Sequence, residues 1–247
     1  TKGAAHMATI QTSFERYEKK YCLTAAQRDF LLAQMQPHMA ADRYGRYTIN
    51  NIYYDTPDWQ LIRASIEKPV YKEKLRVRSY GVPGPEGNVF VELKKKYMGV
   101  VYKRRVTMTP GQVEPFLAGA LPGDAFGQIG REIRWFQSFH RTQPQVYIGY
   151  DREAYAGIEN PDLRITFDTR LRWRDTRLGL RQGEDGSPIP LPGQILMEIK
   201  IPGVCPLWLS HALSEAEAFP TSFSKYGACF CGAILPGLSS REENKCA

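Results

Sequence analysis

Between Val70 and Val106 the chain alternates apolar and charged residues through three consecutive segments. In VYKEKLRVRSY, Lys74, Arg76, Arg78 and Tyr80 share one parity, and Leu75 and Val77 the other. In VFVELKKKY, Glu92, Lys94 and Lys96 oppose Val89, Val91 and Leu93; in VVYKRRV, Lys103 and Arg105 oppose Val100, Tyr102 and Val106. A period of two over runs of this length demands strands with one buried face. The intervening Gly81–Gly87 and Met98-Gly99 supply turns, so the three strands form an antiparallel meander. On any single strand such a polar face would be ordinary solvated surface. Like charges facing each other across neighbouring strands repel, however. A wall of them predicts that a polyanion is received there.

The same strand type recurs along the chain. Candidate strands cover residues 14–22, 47–55, 71–80, 89–97, 100–109, 146–152, 163–173 and 195–201. In LRITFDTRLRW, Leu163, Ile165, Phe167, Leu171 and Trp173 alternate with Arg164, Thr166, Asp168, Arg170 and Arg172 without a slip. In ILMEIKI, Glu198 and Lys200 oppose four apolar residues. Helices are expected at 24–36, where Thr24 and Gln27 form a capping box, and at 58–66, 125–141, 206–219 and 224–235. Eight antiparallel strands can close into a barrel. Period two alone does not say whether the apolar or the cationic faces point inward.

The totals bound the partners. A chain of 247 residues, 43% hydrophobic and 24% charged, is long enough for one well-packed domain. Its net charge of +7 points to an anionic partner. No run reaches the roughly 20 apolar residues of a membrane span, and no signal peptide is expected. Five cysteines without C-x-x-C spacing make a disulfide framework or zinc site unexpected and suggest a cytoplasmic setting. Phosphate-binding loops of the G-x-x-x-x-G-K-[ST] and G-x-G-x-x-G types are absent, as are kinase motifs. Residues 1–12 read as a cloning remnant and flexible N-terminus, 13–236 as one domain and 237–247 as a frayed tail.

A set of spaced motifs then occurs in order: Phe14-x-Arg16-x-Glu18-x-Lys20-Tyr21, Lys74-x-Arg76-x-Arg78, Glu92-x-Lys94-x-Lys96, Lys103-x-Arg105, Tyr150-x-Arg152, Arg164-x-x-x-Asp168, Glu198-x-Lys200 and Ser224-Lys225-Tyr226. Over residues 13–230 the chain resembles the vacuolar transporter chaperone (VTC) domain, the polyphosphate polymerase branch of the triphosphate tunnel metalloenzymes. The resemblance implies an α+β fold: an eight-stranded antiparallel β-barrel tunnel with a polar, basic interior, flanked by helices. It implies ATP and polyphosphate or triphosphate as ligands, Mn²⁺ or Mg²⁺ as cofactor, and transfer of the terminal phosphate of ATP to a polyphosphate chain. The wider superfamily opens on a Glu-x-Glu-x-Lys strand, whereas Arg16 stands at the first of these positions here. That exchange favours phosphate transfer over hydrolysis.

Carried over residue by residue, Lys20, Arg76, Arg78, Lys94 and Glu198 are the expected catalytic groups. Arg16, Lys74, Lys96, Lys103 and Arg105 are expected on phosphate, as are Arg152, Arg164 and Lys200. Tyr150 is expected near the nucleotide end and Lys225 at a tunnel mouth. Glu198 is the expected metal ligand, with Glu18 and Glu92 either beside the metal or balancing charge. Asp55 and Asp168 are expected to fix neighbouring arginines. Rival readings are a tunnel triphosphatase and a non-catalytic polyphosphate-binding module. A nucleic-acid binder is disfavoured, since glutamates within the basic face would repel a phosphate backbone. A membrane partner is left open.

Overall fold

The computed structural model describes residues 16–98 and 100–238. The expected leader at 1–12, Phe14 and nearly all of the expected tail lie outside the described residues. The strands are β1 (Arg16–Leu23), β2 (Met39–Asp55), β3 (Tyr71–Tyr80), β4 (Val89–Tyr97), β5 (Val100–Met108), β6 (Gln143–Gly157), β7 (Arg164–Arg174), the two-residue β8 (Ser187–Pro188) and β9 (Ile195–Pro202). The helices are α1 (Ala25–Met35), α2 (Gln60–Ile66), α3 (Pro110–Ala118), α4 (Gly127–His140), α5 (Leu207–Glu215) and α6 (Lys225–Cys229), the last running into a π-turn at Phe230–Ile234. Eight long strands form one sheet in the order β1-β9-β7-β6-β2-β3-β4-β5, with β8 added to β7. Every pairing is antiparallel. Among the described residues the backbone ladder stays open between β1 and β5.

The helices decide which face is inside. Leu75, Val77, Val89, Val91 and Leu93 of β3 and β4 are buried against Phe116 and Leu117 of α3 and Ile133 and Phe136 of α4. On the other side, Ile165, Phe167, Met197 and Ile199 of β7 and β9 are buried against Leu31 and Met35 of α1 and Leu209 and Leu213 of α5. The apolar faces therefore point outward into helices, and the cationic faces point into the curl of the sheet. Fully burying one such Leu or Ile contributes about 1.5–3 kcal/mol, which favours this inverted arrangement over solvated helix faces. Helix α1 starts as its sequence requires, with Thr24 accepting from the Gln27 amide while the Gln27 side chain accepts from the Thr24 amide.

Three local features depart from simple alternation. Strand β2 begins eight residues earlier than its β-rich core, with a register shift against β6 between Ala41 and Arg46 and Gly45 at φ +58°. In β7 the alternation slips. Arg170 sits at φ +50° opposite a register shift in β6 between Gly149 and Asp151. Past this bulge Leu171 and Trp173 pack with Ile148, Tyr150 and Tyr226, while Arg172 and Arg174 turn to Asp151 and Tyr147. Arg170 and Arg172 thus leave the face that Arg164, Thr166 and Asp168 occupy. The third departure is Asp55, which among the described residues fixes no arginine. Its carboxylate accepts from the backbone N–H groups of Thr56, Leu61 and Ile62 and from the Tyr226 hydroxyl. It thereby caps the start of α2, whose N-cap residue Trp59 makes no capping side-chain bond of its own, and ties α6 to it.

Candidate active site

One wall of the curl is built by β3, β4 and β5. Register places Lys74, Lys94 and Lys103 side by side in one row and Arg76, Glu92 and Arg105 in the next. Glu92 is the buried anion of this wall. Its Oε2 accepts from Arg76 Nε at 2.8 Å and Nη2 at 2.7 Å, with Arg78 Nε at 3.9 Å, and Lys103 Nζ lies 2.6 Å from Oε1. Burial alone would raise the Glu92 carboxyl; Arg76, Arg78 and Lys103 outweigh it and hold the group at about 2. Arg78 also donates to Asn51 Oδ1 at 2.9 Å and to the Tyr150 hydroxyl at 3.2 Å, and Arg76 to the Tyr53 hydroxyl at 3.2 Å.

The opposite wall comes from β6, β7, β9 and β1. Asp168, fully buried, accepts both prongs of Arg152 at 2.6 and 2.8 Å and Lys225 Nζ at 2.6 Å. Register sets Glu198 opposite Lys20 and Glu18 opposite Lys200, so the two glutamates are diagonal neighbours on one face. Glu198 pairs with Lys200 at 3.2 Å and Glu18 with Lys20 at 3.7 Å. Burial raises the Glu198 carboxyl, but Lys200, Arg152, Lys20 and Lys225 together keep it well below its ordinary value.

The walls face each other. Burial lowers the Lys94 ammonium, Arg76 and Lys20 push it the same way, and Glu18 and Glu198 on β1 and β9 pull it back. The segment before and into α6 closes the space from one side. Lys20 donates to the Phe223 carbonyl at 3.0 Å, Lys74 to Ser224 Oγ at 3.2 Å, and the Tyr226 ring stacks on Tyr53 at 4.6 Å. The field is cationic enough to acidify a buried phenol. Burial raises Tyr150, yet Arg78, Arg152 and Lys225 leave it below its ordinary value.

Lys20, Lys74, Arg76, Arg78, Lys94, Lys103, Tyr150, Arg152, Lys200 and Lys225 are therefore gathered around one channel with Glu18, Glu92 and Glu198. Three expected residues lie further out. Lys96 is exposed beside Lys72, Arg105 is exposed with its guanidinium over Phe90, and Arg164 reaches Asp42 at 3.8 Å. Arg16 is placed by its backbone opposite Pro202, and its side chain lies outside the described residues. Asn51 and Tyr53 belong to the site although no role was expected for either. Their signal was present in their parity along residues 47–55. As expected of it, Asp168 fixes an arginine, and it holds Lys225 as well.

Two measurable consequences follow from these charges. Burial, with help from Lys72, Lys94 and Lys20, pulls the Lys74 ammonium down to about 8. An anion binds the protonated form, so tripolyphosphate affinity should weaken as pH rises from 7 to 9. Lys74→Arg, whose charge does not titrate in this range, should flatten that dependence. An unchanged slope in the variant would remove Lys74 from the anion site. Asp168 titrates at about 2 because Lys225 and Arg152 override its burial, against 3.8 for a free side chain. Its folded value is depressed, so its contribution of about 2 kcal/mol is present above pH 4 and is lost as pH falls toward 2. Melting temperature should drop across that window, and less steeply in Asp168→Asn, with depressed carboxylates such as Glu92, Glu198 and Asp151 contributing to the remaining slope. Equal slopes for both proteins would contradict the assignment.

The family model for the VTC domain matches residues 15–233. Among solved structures, a protein of Vibrio parahaemolyticus provisionally described as an adenylate cyclase is similar at 13% identity and a TM-score of 0.46, over 88% of this chain and 98% of that one. A protein from Pyrococcus horikoshii is similar at 13% identity and a TM-score of 0.37, over 81% of this chain and 86% of that one. No curated protein sequence matches this chain.

Proposed function

The chain belongs to the VTC domain family, and from that premise we propose that it is a polyphosphate polymerase, passing the terminal phosphate of ATP to a growing chain inside the channel. The observation that carries the reading is the pair of facing walls: Lys94 on β4 is held in the field of Glu18 and Glu198 on β1 and β9. A basic surface alone would serve any anion. A channel whose cations enclose two carboxylates, each with one close ion pair among the described residues, suits phosphates that arrive with a metal.

The carboxylates divide into two kinds. Among the described residues, Glu92 and Asp168 are each engaged by two or more cations, the arrangement of fixed counter-ions. Glu198 and Glu18 make one ion pair each. Among the described residues no three His, Cys, Asp or Glu side chains come together as a metal cage. Two acidic groups on one face still fit Mg²⁺ or Mn²⁺, which typically takes one or two carboxylates and completes its shell with water and substrate phosphates. Glu198 would hold it, with Glu18 beside it. Bound there, the metal would supply positive charge that offsets the negative charge of the phosphates.

The chain's own residues then position and neutralise, which is most of what phosphoryl transfer asks of a protein. Arg76 and Arg78 offer planar forks already aligned by Glu92, Tyr53 and Asn51. Arg152, braced by Asp168, does the same from the other wall. Lys20, Lys74, Lys94, Lys103 and Lys200 act as compact charges along the chain of phosphates. Lys20, Lys74 and Lys225 hold onto the 223–225 segment or Asp168, so a polyanion must displace or share these bonds.

Incubation with ATP and Mn²⁺, followed by a gel stained for polyphosphate, tests the reading. Chains that lengthen with time are expected. Orthophosphate alone would make the protein a tunnel triphosphatase. Tight tripolyphosphate binding without metal-dependent turnover would make it a binding module.

A further inference from the structure

One side of the molecule, outside the channel, carries large apolar groups in water. Tyr71, Tyr97 and Val100 lie in one cross-strand row of β3, β4 and β5, and all three are exposed. Val70 and Met98, 66% and 71% exposed, sit at its end and are joined by a Met98 N–H to Val70 carbonyl bond of 3.0 Å. The surface continues onto α4. Glu132 bridges to Lys95 at 2.7 Å and Arg104 at 3.6 Å, and His140 meets Glu73 at 3.3 Å. Beside these groups Trp135 and Phe139 stack at 5.2 Å, 60% and 67% exposed. Lys68 and Lys96 are exposed at the same end.

We propose that this surface docks on an anionic lipid bilayer. Exposed apolar patches of this kind mark interaction surfaces, and the composition selects the partner. Tyr and Trp have an apolar body and a polar tip suited to headgroup depth. Met98, Val70 and Val100 project at a hairpin end, where they can enter the acyl boundary. Lys68, and Lys96 from the opposite face of β4, are exposed beside the hairpin end, so both can turn their charges to anionic headgroups when that end enters the bilayer. A second copy fits less well, because antiparallel pairing of two β5 edges would set the row Lys103–Arg105 against itself. Nucleic acid would use the rings but has no use for exposed Met and Val. Among the described residues no helix is long and apolar enough to cross a membrane, so the contact proposed is peripheral.

The test is co-sedimentation with vesicles of phosphatidylcholine mixed with phosphatidylglycerol, against vesicles of phosphatidylcholine alone. Excess tripolyphosphate is included to occupy the channel cations. Binding about tenfold stronger to the anionic vesicles is expected, reduced about tenfold in Met98→Asp/Val100→Asp. Brominated lipid should quench tryptophan fluorescence in the native chain and far less in Trp135→Phe. Absence of a preference for anionic vesicles would overturn the proposal, as would binding abolished by tripolyphosphate or untouched by the double substitution. Self-association that the double substitution removes would assign the surface to a second copy instead.

Discussion

Replacing Glu198 by Gln is expected to lower metal-dependent phosphoryl transfer by about 10²–10³-fold, the scale of one positioned charge stabiliser, while polyphosphate binding stays level or tightens. The segment ILMEIKI fixes where this carboxylate points. Leu196 is the exception on the inner face, while Met197 and Ile199 anchor β9 under α1 and α5, which forces Glu198 and Lys200 into the channel. A carboxylate among cations weakens anion binding unless it carries a metal. Gln keeps its size and removes its charge, so the two functions should separate. Native turnover in the Gln variant would leave Glu198 as the ion-pair partner of Lys200 and nothing more.

Arg76→Ala should do the reverse and weaken ATP and polyphosphate together, by about ten- to a hundredfold. This is the cost of losing charge-assisted hydrogen bonds worth about 1.5–3 kcal/mol. The residue is half-buried in the wall with Glu92 and Tyr53 as braces. Arg76→Lys keeps the charge and loses the fork, and should recover only part of the affinity. Glu92 retains Lys103 at 2.6 Å in either variant, so the wall keeps a counter-ion for it. Calorimetric titration of both ligands against the three proteins reads this directly. An Arg76→Ala protein with native affinities would place the phosphates elsewhere.

Much of this architecture was legible because β3, β4 and β5 alternate without interruption. Their parity said which residues share a face, and the run of helices with apolar stripes said what could cover the other. Parity does not say which neighbour a residue meets. That Glu92 is held by three cations depends on register across three strands, and only the structure supplies it. The slip in β7 was hidden for a physical reason: a left-handed residue at Arg170 flips every later side chain while the written alternation runs on unbroken. Asp55 misled similarly. It shares parity with Asn51 and Tyr53, but at the end of β2 its carboxylate meets the free N–H groups of α2 before it can reach an arginine. The early half of β2 was invisible because residues 39–46 pair with β6 around a glycine bulge and never alternate.

The central claim is that a polyanion lies between the two walls, and a crystal structure of the protein soaked with tripolyphosphate tests it most directly. The account predicts phosphate density within hydrogen-bond reach of Arg76, Arg78 and Lys94 on one wall and of Lys20, Arg152 or Lys200 on the other. Phosphates confined to the outer surface, with the channel side chains still paired only among themselves, would contradict it.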